Sequence, residues 1–183
     1  MGFLKPTFQN GSKTRWAARL IAACTVGIFY AISGAARAGQ PSPLPPEPVH
    51  LMQNETTACI DKTAGLKNGV SARLQKCDMK NLNQRFKLEP QRGDYFLIRS
   101  ITSGKCLGVA SEDKENGIPV QQWSCLGYDN QLWKRIERPG GWFALQAKHS
   151  GKCLDGGEKP DGILYQNDCA EARAGFQLFR VIR

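Results

Sequence analysis

With 183 residues the chain suits one packed domain of ordinary size and is too short for a catalytic domain joined to a full accessory domain. The formal net charge is +9, but residues 1–38 hold five basic residues and no acidic ones, which leaves a modest and scattered +4 on the rest. Such a balance gives a nucleic-acid partner no support.

Residues 1–38 read as a secretory signal peptide. Lys5, Lys13, Arg15 and Arg19 precede the 13-residue apolar run "LIAACTVGIFYAI", which is short for a bilayer span. Small residues follow, and Ala36-Arg37-Ala38 fits an A-x-A cleavage site. An uncleaved anchor would want a longer run. The box "IAAC" at Cys24 offers a lipoprotein alternative, although most of the apolar run follows it. Cleavage near Ala38 predicts a secreted or periplasmic protein with no integral membrane span. Residues 39–49, "GQPSPLPPEPV", contain five prolines and predict an extended arm without ladder hydrogen bonds, either a spacer or a docking peptide. The domain proper is expected over residues 50–183.

That domain is written three times. "GDYFLIRSITSGKCLG" (residues 93–108) lies over "GGWFALQAKHSGKCLD" (140–155), and "ACID" (58–61) holds the matching place in an earlier copy. Gln84/Phe86, Gln131/Trp133 and Gln177/Phe179 are glutamine-x-aromatic landmarks at offsets of 47 and 46. In the middle copy, strands are expected over 95–101, 105–110, 119–125 and 131–136, separated by glycine, proline and asparagine clusters. Helical periodicity is missing, so the chain predicts an all-β protein of about twelve short strands. Three units are too few for a propeller, which needs at least four blades, and they suit a threefold closed barrel with a hairpin cap. Each landmark ring then belongs in the core, and each glutamine amide on loop backbone groups.

The cysteines keep the same rhythm. Apart from Cys24, six remain, with gaps of 18, 19 and 16 within successive pairs, which orders them as Cys59–Cys77, Cys106–Cys125 and Cys153–Cys169. The spacing does not suit a zinc site, so neither metal nor cofactor is expected.

Three units with Cys-Leu/Ile-x, a second cysteine and Gln-x-Trp/Phe resemble the ricin B-type lectin domain, a β-trefoil of three ~47-residue repeats with one disulfide in each. The resemblance implies a galactose-type carbohydrate-binding module without catalysis, whose partners are glycans or glycoconjugates. It also implies a site plan. A carboxylate after Cys-Leu accepts from two sugar hydroxyls, a ring two residues before the second cysteine stacks on the sugar, and an asparagine before Gln-x-aromatic completes the polar contacts. The first repeat supplies Asp61 and Asn83, with Gln75 at the stacking position. The second supplies Gln121, Trp123 and Asn130, with Gly108 at the carboxylate position and Asp129 as a nearby substitute. The third supplies Asp155, with Asn167 and Phe176 in place of the ring and the asparagine. Asp61 and Asp155 also suit plain turn chemistry. The stretch "NQRFKLEPQRGDYFLIRSITSGKCL" is similar to the accessory subunits of cytolethal distending toxins. That likeness implies a second function: a cell-surface-binding module with eroded sugar sites that docks companion toxin subunits.

Overall fold

The computed structural model describes residues 42–158, 162–169, 171 and 174–183. The expected leader, residues 1–38, lies outside them, as do residues 39–41 of the arm. The described residues are almost all β. In chain order the strands are β1 His50–Gln53, β2 Ala58–Asp61, β3 Val70–Ser71, β4 Arg73–Lys76, β5 Phe86–Pro90, β6 Phe96–Ser100, β7 Cys106–Val109, β8 Ile118–Trp123, β9 Trp133–Glu137, β10 Phe143–Ala147, β11 Cys153–Asp155, β12 Tyr165–Asn167 and β13 Leu178–Ile182. A single helical turn, α1 (Ala174–Gln177), precedes β13. Gln131 falls in a 3-10 turn rather than opening a strand, because its N–H closes back on the Tyr128 carbonyl at 2.8 Å.

Six strands form a ring. β1 pairs with β13, β13 with β10, β10 with β9, β9 with β6 and β6 with β5, all antiparallel. Val49 and Phe86 close it by exchanging backbone hydrogen bonds of 2.8 and 2.9 Å. That closure corrects the expectation for the arm: its last residue lies in the ladder and is fully buried, and Leu44 packs against the core. The repeat explains why, since Val49, Phe96 and Phe143 stand 47 residues apart and face the three landmark rings. The pairs are Val49 with Phe86, Phe96 with Trp133, and Phe143 with Phe179.

The other strands make three hairpins, β2–β4, β7–β8 and β11–β12. Each touches the other two, through β3 on β8, β12 on β8 and an Arg73–Ile163 bridge, which gives the triangular cap of a β-trefoil. Phe86, Trp133 and Phe179 fill one core together with Ile60, Leu107 and Leu154, the residues that follow each leading cysteine. The Trp133 indole N–H donates to the Leu107 carbonyl at 3.0 Å, so even the largest buried ring has its polar atom satisfied.

Glutamines tie the loops to this frame. The Gln84 carbonyl accepts from Asp78 N and its amide donates to Lys76 O. Gln131 accepts from Leu126 N and Gly127 N and donates to Ser124 O. Gln177 donates to Asp168 O and to the Asp155 carboxylate. A second set of glutamines joins one repeat to the next. Gln122 donates to Gly65 O and Lys67 O, Gln166 to Asp113 O and Glu115 O, and Gln53 to Phe176 O and Gly157 O. These three contacts run in a circle, each repeat holding a loop of its neighbour. One disulfide staples each repeat, at Cys59–Cys77, Cys106–Cys125 and Cys153–Cys169, with Cα–Cα separations of 4.8–5.0 Å.

Candidate functional site

The second repeat presents an open aromatic surface. Trp123 ends β8 and is 41% exposed, while Trp133 already fills the core place of that repeat. Trp123, Tyr128, Gln121, Asn130 and Glu112 line a depression of about 350 Å³. Tyr128 caps the 3-10 turn that follows the second cysteine and is 56% exposed. Asn130 donates to the Val109 carbonyl at 2.8 Å, and its Oδ1 is buried without a partner among the described residues. Two aromatic faces beside amide and carboxylate groups can stack on an apolar ring face and bond its hydroxyls. Asp129 takes no part: its carboxylate is held 2.7 Å from Lys148 Nζ and does not line the depression.

Gly108, which also lines this depression, is closely hemmed in. A Cβ there would stand 2.9 Å from Gln131 Cγ and 3.1 Å from the Asn130 carbonyl oxygen. The turn at Asp129–Gln131 presses on β7 at that point and leaves no space for a side chain.

The first repeat offers a polar depression of about 650 Å³, lined by Asp61, Gln75, Asn81 and Asn83 among others, with no aromatic ring. Asp61 is only 4% exposed. Its Oδ1 accepts from Thr63 N at 2.6 Å and its Oδ2 from Asn81 Nδ2 at 2.9 Å. The Asn83 side chain accepts from the Thr102 hydroxyl. Beside it, the buried Lys62 ammonium donates to Thr63 O and Gly65 O. Desolvation holds its pKa below the ordinary lysine value, and the Asp61 charge opposes that shift.

In the third repeat Asp155 is 1% exposed. Its Oδ1 accepts from Gly157 N at 2.8 Å, and its Oδ2 accepts from Asn167 Nδ2 and Gln177 Nε2 at 3.1 Å each. Phe176 lies in α1, where its carbonyl receives Gln53 Nε2 and Gly156 N. Both aspartates therefore serve the turn that follows them, each taking the N–H two residues on. The six carbohydrate candidates thus separate: Gln121, Trp123 and Asn130 share one depression, Asp61 and Asn83 share another, and Asp155 is enclosed.

The model of the family described as ricin-type beta-trefoil lectin domain-like matches residues 82–163. A designed threefold symmetric protein, ThreeFoil, superposes with a TM-score of 0.69 at 26% identity, over 74% of this chain and 98% of that one. The fold is a β-trefoil, and residues 82–163 are similar to ricin-type lectin-like domains. The model of the cytolethal distending toxin A/C domain matches residues 33–120. Among other solved structures, the hemolytic lectin CEL-III aligns at 26% identity with a TM-score of 0.62, over 75% of this chain and 31% of that one. The cytolethal distending toxin of Haemophilus ducreyi shares the fold at 17% identity, with a TM-score of 0.60, over 78% and 87% of the two chains. No curated protein matches the chain. No helix among the described residues is long and apolar enough to cross a membrane.

Two residues of the open depression, Tyr128 and Glu112, are not marked by the repeat. Tyr128 follows the second cysteine by three residues, and an aromatic among glycine and aspartate in a turn could have flagged it. Glu112 stands in "SEDKEN", where four acidic or amide side chains crowd together and sequence does not tell which faces inward.

Proposed function

We propose that this protein is an exported galactose-type lectin that binds glycans without catalysis of its own, and that its main site is the Trp123 depression. The observation that carries the reading is Trp123 itself. A large ring stands open on the surface at the stacking position of the family plan, next to Asn130 and Gln121. Exposing an indole forgoes its burial free energy, which a stacked sugar recovers. Residues 1–38 serve as the export signal in this reading, and three disulfides suit the oxidising compartment it leads to. The first repeat contributes a polar contact surface at most, and we place no sugar at Asp155. A single shallow site binds weakly, so strength comes from clustering on a glycan-covered surface.

The test is Trp123→Ala on an array of galactose-terminated glycans. Binding should fall at least tenfold, with an unchanged circular dichroism spectrum and melting temperature. Retention equal to the parent protein's would overturn the site.

The toxin A/C match over residues 33–120 favours a second reading, in which the trefoil is the cell-binding accessory subunit of a secreted multi-subunit toxin. The same variant separates the two. If it loses array binding and keeps full attachment to cultured cells, protein contacts carry the attachment and the toxin reading stands. If both fall together, the lectin reading stands.

A further inference from the structure

We propose that Glu112 is the carboxylate of the second-repeat site, replacing the aspartate that the first and third repeats carry after Cys-Leu. The inference rests on the reading of the Trp123 depression as a glycan site and goes on to name its hydrogen-bonding anion.

Three observations point to Glu112. The ordinary place for the carboxylate is closed, because a Cβ on Gly108 would meet Gln131 Cγ at 2.9 Å and the Asn130 carbonyl at 3.1 Å. The Glu112 side chain lines the same depression as Trp123, Tyr128 and Asn130. Unlike Asp61 and Asp155, whose oxygens are taken by turn N–H groups and side-chain amides, the exposed Glu112 carboxylate has no hydrogen bond or ion pair among the described residues.

The loop that carries it is built to hold it there. Ser111 (φ +56°) and Glu112 (φ +54°) both lie in the left-handed region, which costs non-glycine residues free energy and persists only where the surroundings enforce it. Those surroundings are visible. Gln166 of the third repeat donates to Asp113 O and Glu115 O at 2.8 Å each, and His149 Nε2 lies 3.0 Å from Asp113 O. The loop is therefore clamped from the neighbouring repeat just beyond Glu112, while its other end continues from β7. A fixed carboxylate beside a stacking ring accepts two neighbouring sugar hydroxyls at once, and charge-assisted bonds of that kind are stronger than neutral ones.

The experiment uses the full chain with lactose as soluble probe, measured by calorimetry, and galactose-terminated glycans on an array. Glu112→Gln keeps size and fold but replaces an acceptor pair with an amide, and lactose binding should weaken about tenfold or more. The decisive readout is a cycle with methyl galactosides lacking the 3- or the 4-hydroxyl. In the parent protein at least one deletion should weaken binding, and in Glu112→Gln that same deletion should cost nothing further. A structural role would leave the hydroxyl penalty intact. If Trp123→Ala abolishes binding while Glu112→Gln binds like the parent with an unchanged hydroxyl penalty, the inference about Glu112 falls and the lectin reading survives. If the parent protein binds none of these galactosides, or Trp123→Ala binds as well as the parent, the lectin reading falls and Glu112 falls with it.

Discussion

Gly108 occupies the position where the first and third repeats carry Asp61 and Asp155, and the Asp129–Gln131 turn leans on it closely enough to exclude a Cβ. Restoring the family's carboxylate by Gly108→Asp should therefore lower stability by about 1–3 kcal/mol through overpacking, with no gain in glycan binding. Gly108→Ala should show most of the same loss, because the backbone oxygen of Asn130 meets the first carbon. Urea denaturation of both variants beside the parent measures this, and an aspartate variant of parental stability that binds more tightly would show that the turn gives way. The residue scale is also where sequence stops being legible. The ring of Trp123, the six cysteines and the three Gln-x-aromatic landmarks stand out because repetition marks them. The work of Asp61 and Asp155 does not, because a carboxylate that holds a turn N–H and one that awaits a sugar occupy the same place in the chain. Only the observed bonds to Thr63 N and Gly157 N separate the two uses. Glu112 is less legible still, since its direction depends on two consecutive left-handed residues that no local signal demands.

Strands and hairpins follow the repeat closely. Expected strands at 95–101, 105–110 and 119–125 become β6, β7 and β8 with ends displaced by a residue or two, because runs of branched and aromatic residues between turn-formers mark the strand while hydrogen bonding fixes its ends. The glutamine latches between repeats are different: Gln122 and Gln166 reach residues 51–57 positions away and Gln53 residues 104 and 123 away, and nothing near Gln166 announces Asp113. The residue three before the second cysteine is Gln122 in the second repeat and Gln166 in the third, but Leu74 in the first, where it is fully buried in the core. Gln53 on β1 makes the missing latch instead, bonding Phe176 O and Gly157 O. Gln166→Leu copies the first repeat's residue without its surroundings, so Asp113 O, Glu115 O and the Ser150 hydroxyl each lose a hydrogen bond, and Asp113 O keeps only His149 Nε2. We expect about 2–3 kcal/mol of destabilisation in thermal melts. Faster amide exchange confined to residues 110–117 should accompany it, and uniform exchange across the chain would show that no local latch had been broken.

The described domain is a ring of units, none of which can bury its apolar face alone, so its integrity depends on closure at every junction. Each junction repeats one arrangement: a landmark ring paired with a residue 47 positions along from its counterpart, and a disulfide tying the cap hairpin above it. Loops of 16–19 residues closed by cystine stabilise a fold by about 3 kcal/mol each in the chain-entropy account, mainly by restricting the unfolded chain. Three such contributions are comparable to the entire net stability of an ordinary domain, about 5–15 kcal/mol. Full reduction should consequently lower the melting temperature severely or unfold the protein at room temperature. Removing one pair, Cys106→Ser with Cys125→Ser, should cost about 3 kcal/mol and leave a folded trefoil. The two states are read by near-ultraviolet circular dichroism together with thiol titration of the unfolded chain. Parental melting after all three bonds are open would mean that the ring closes through its core and latches alone.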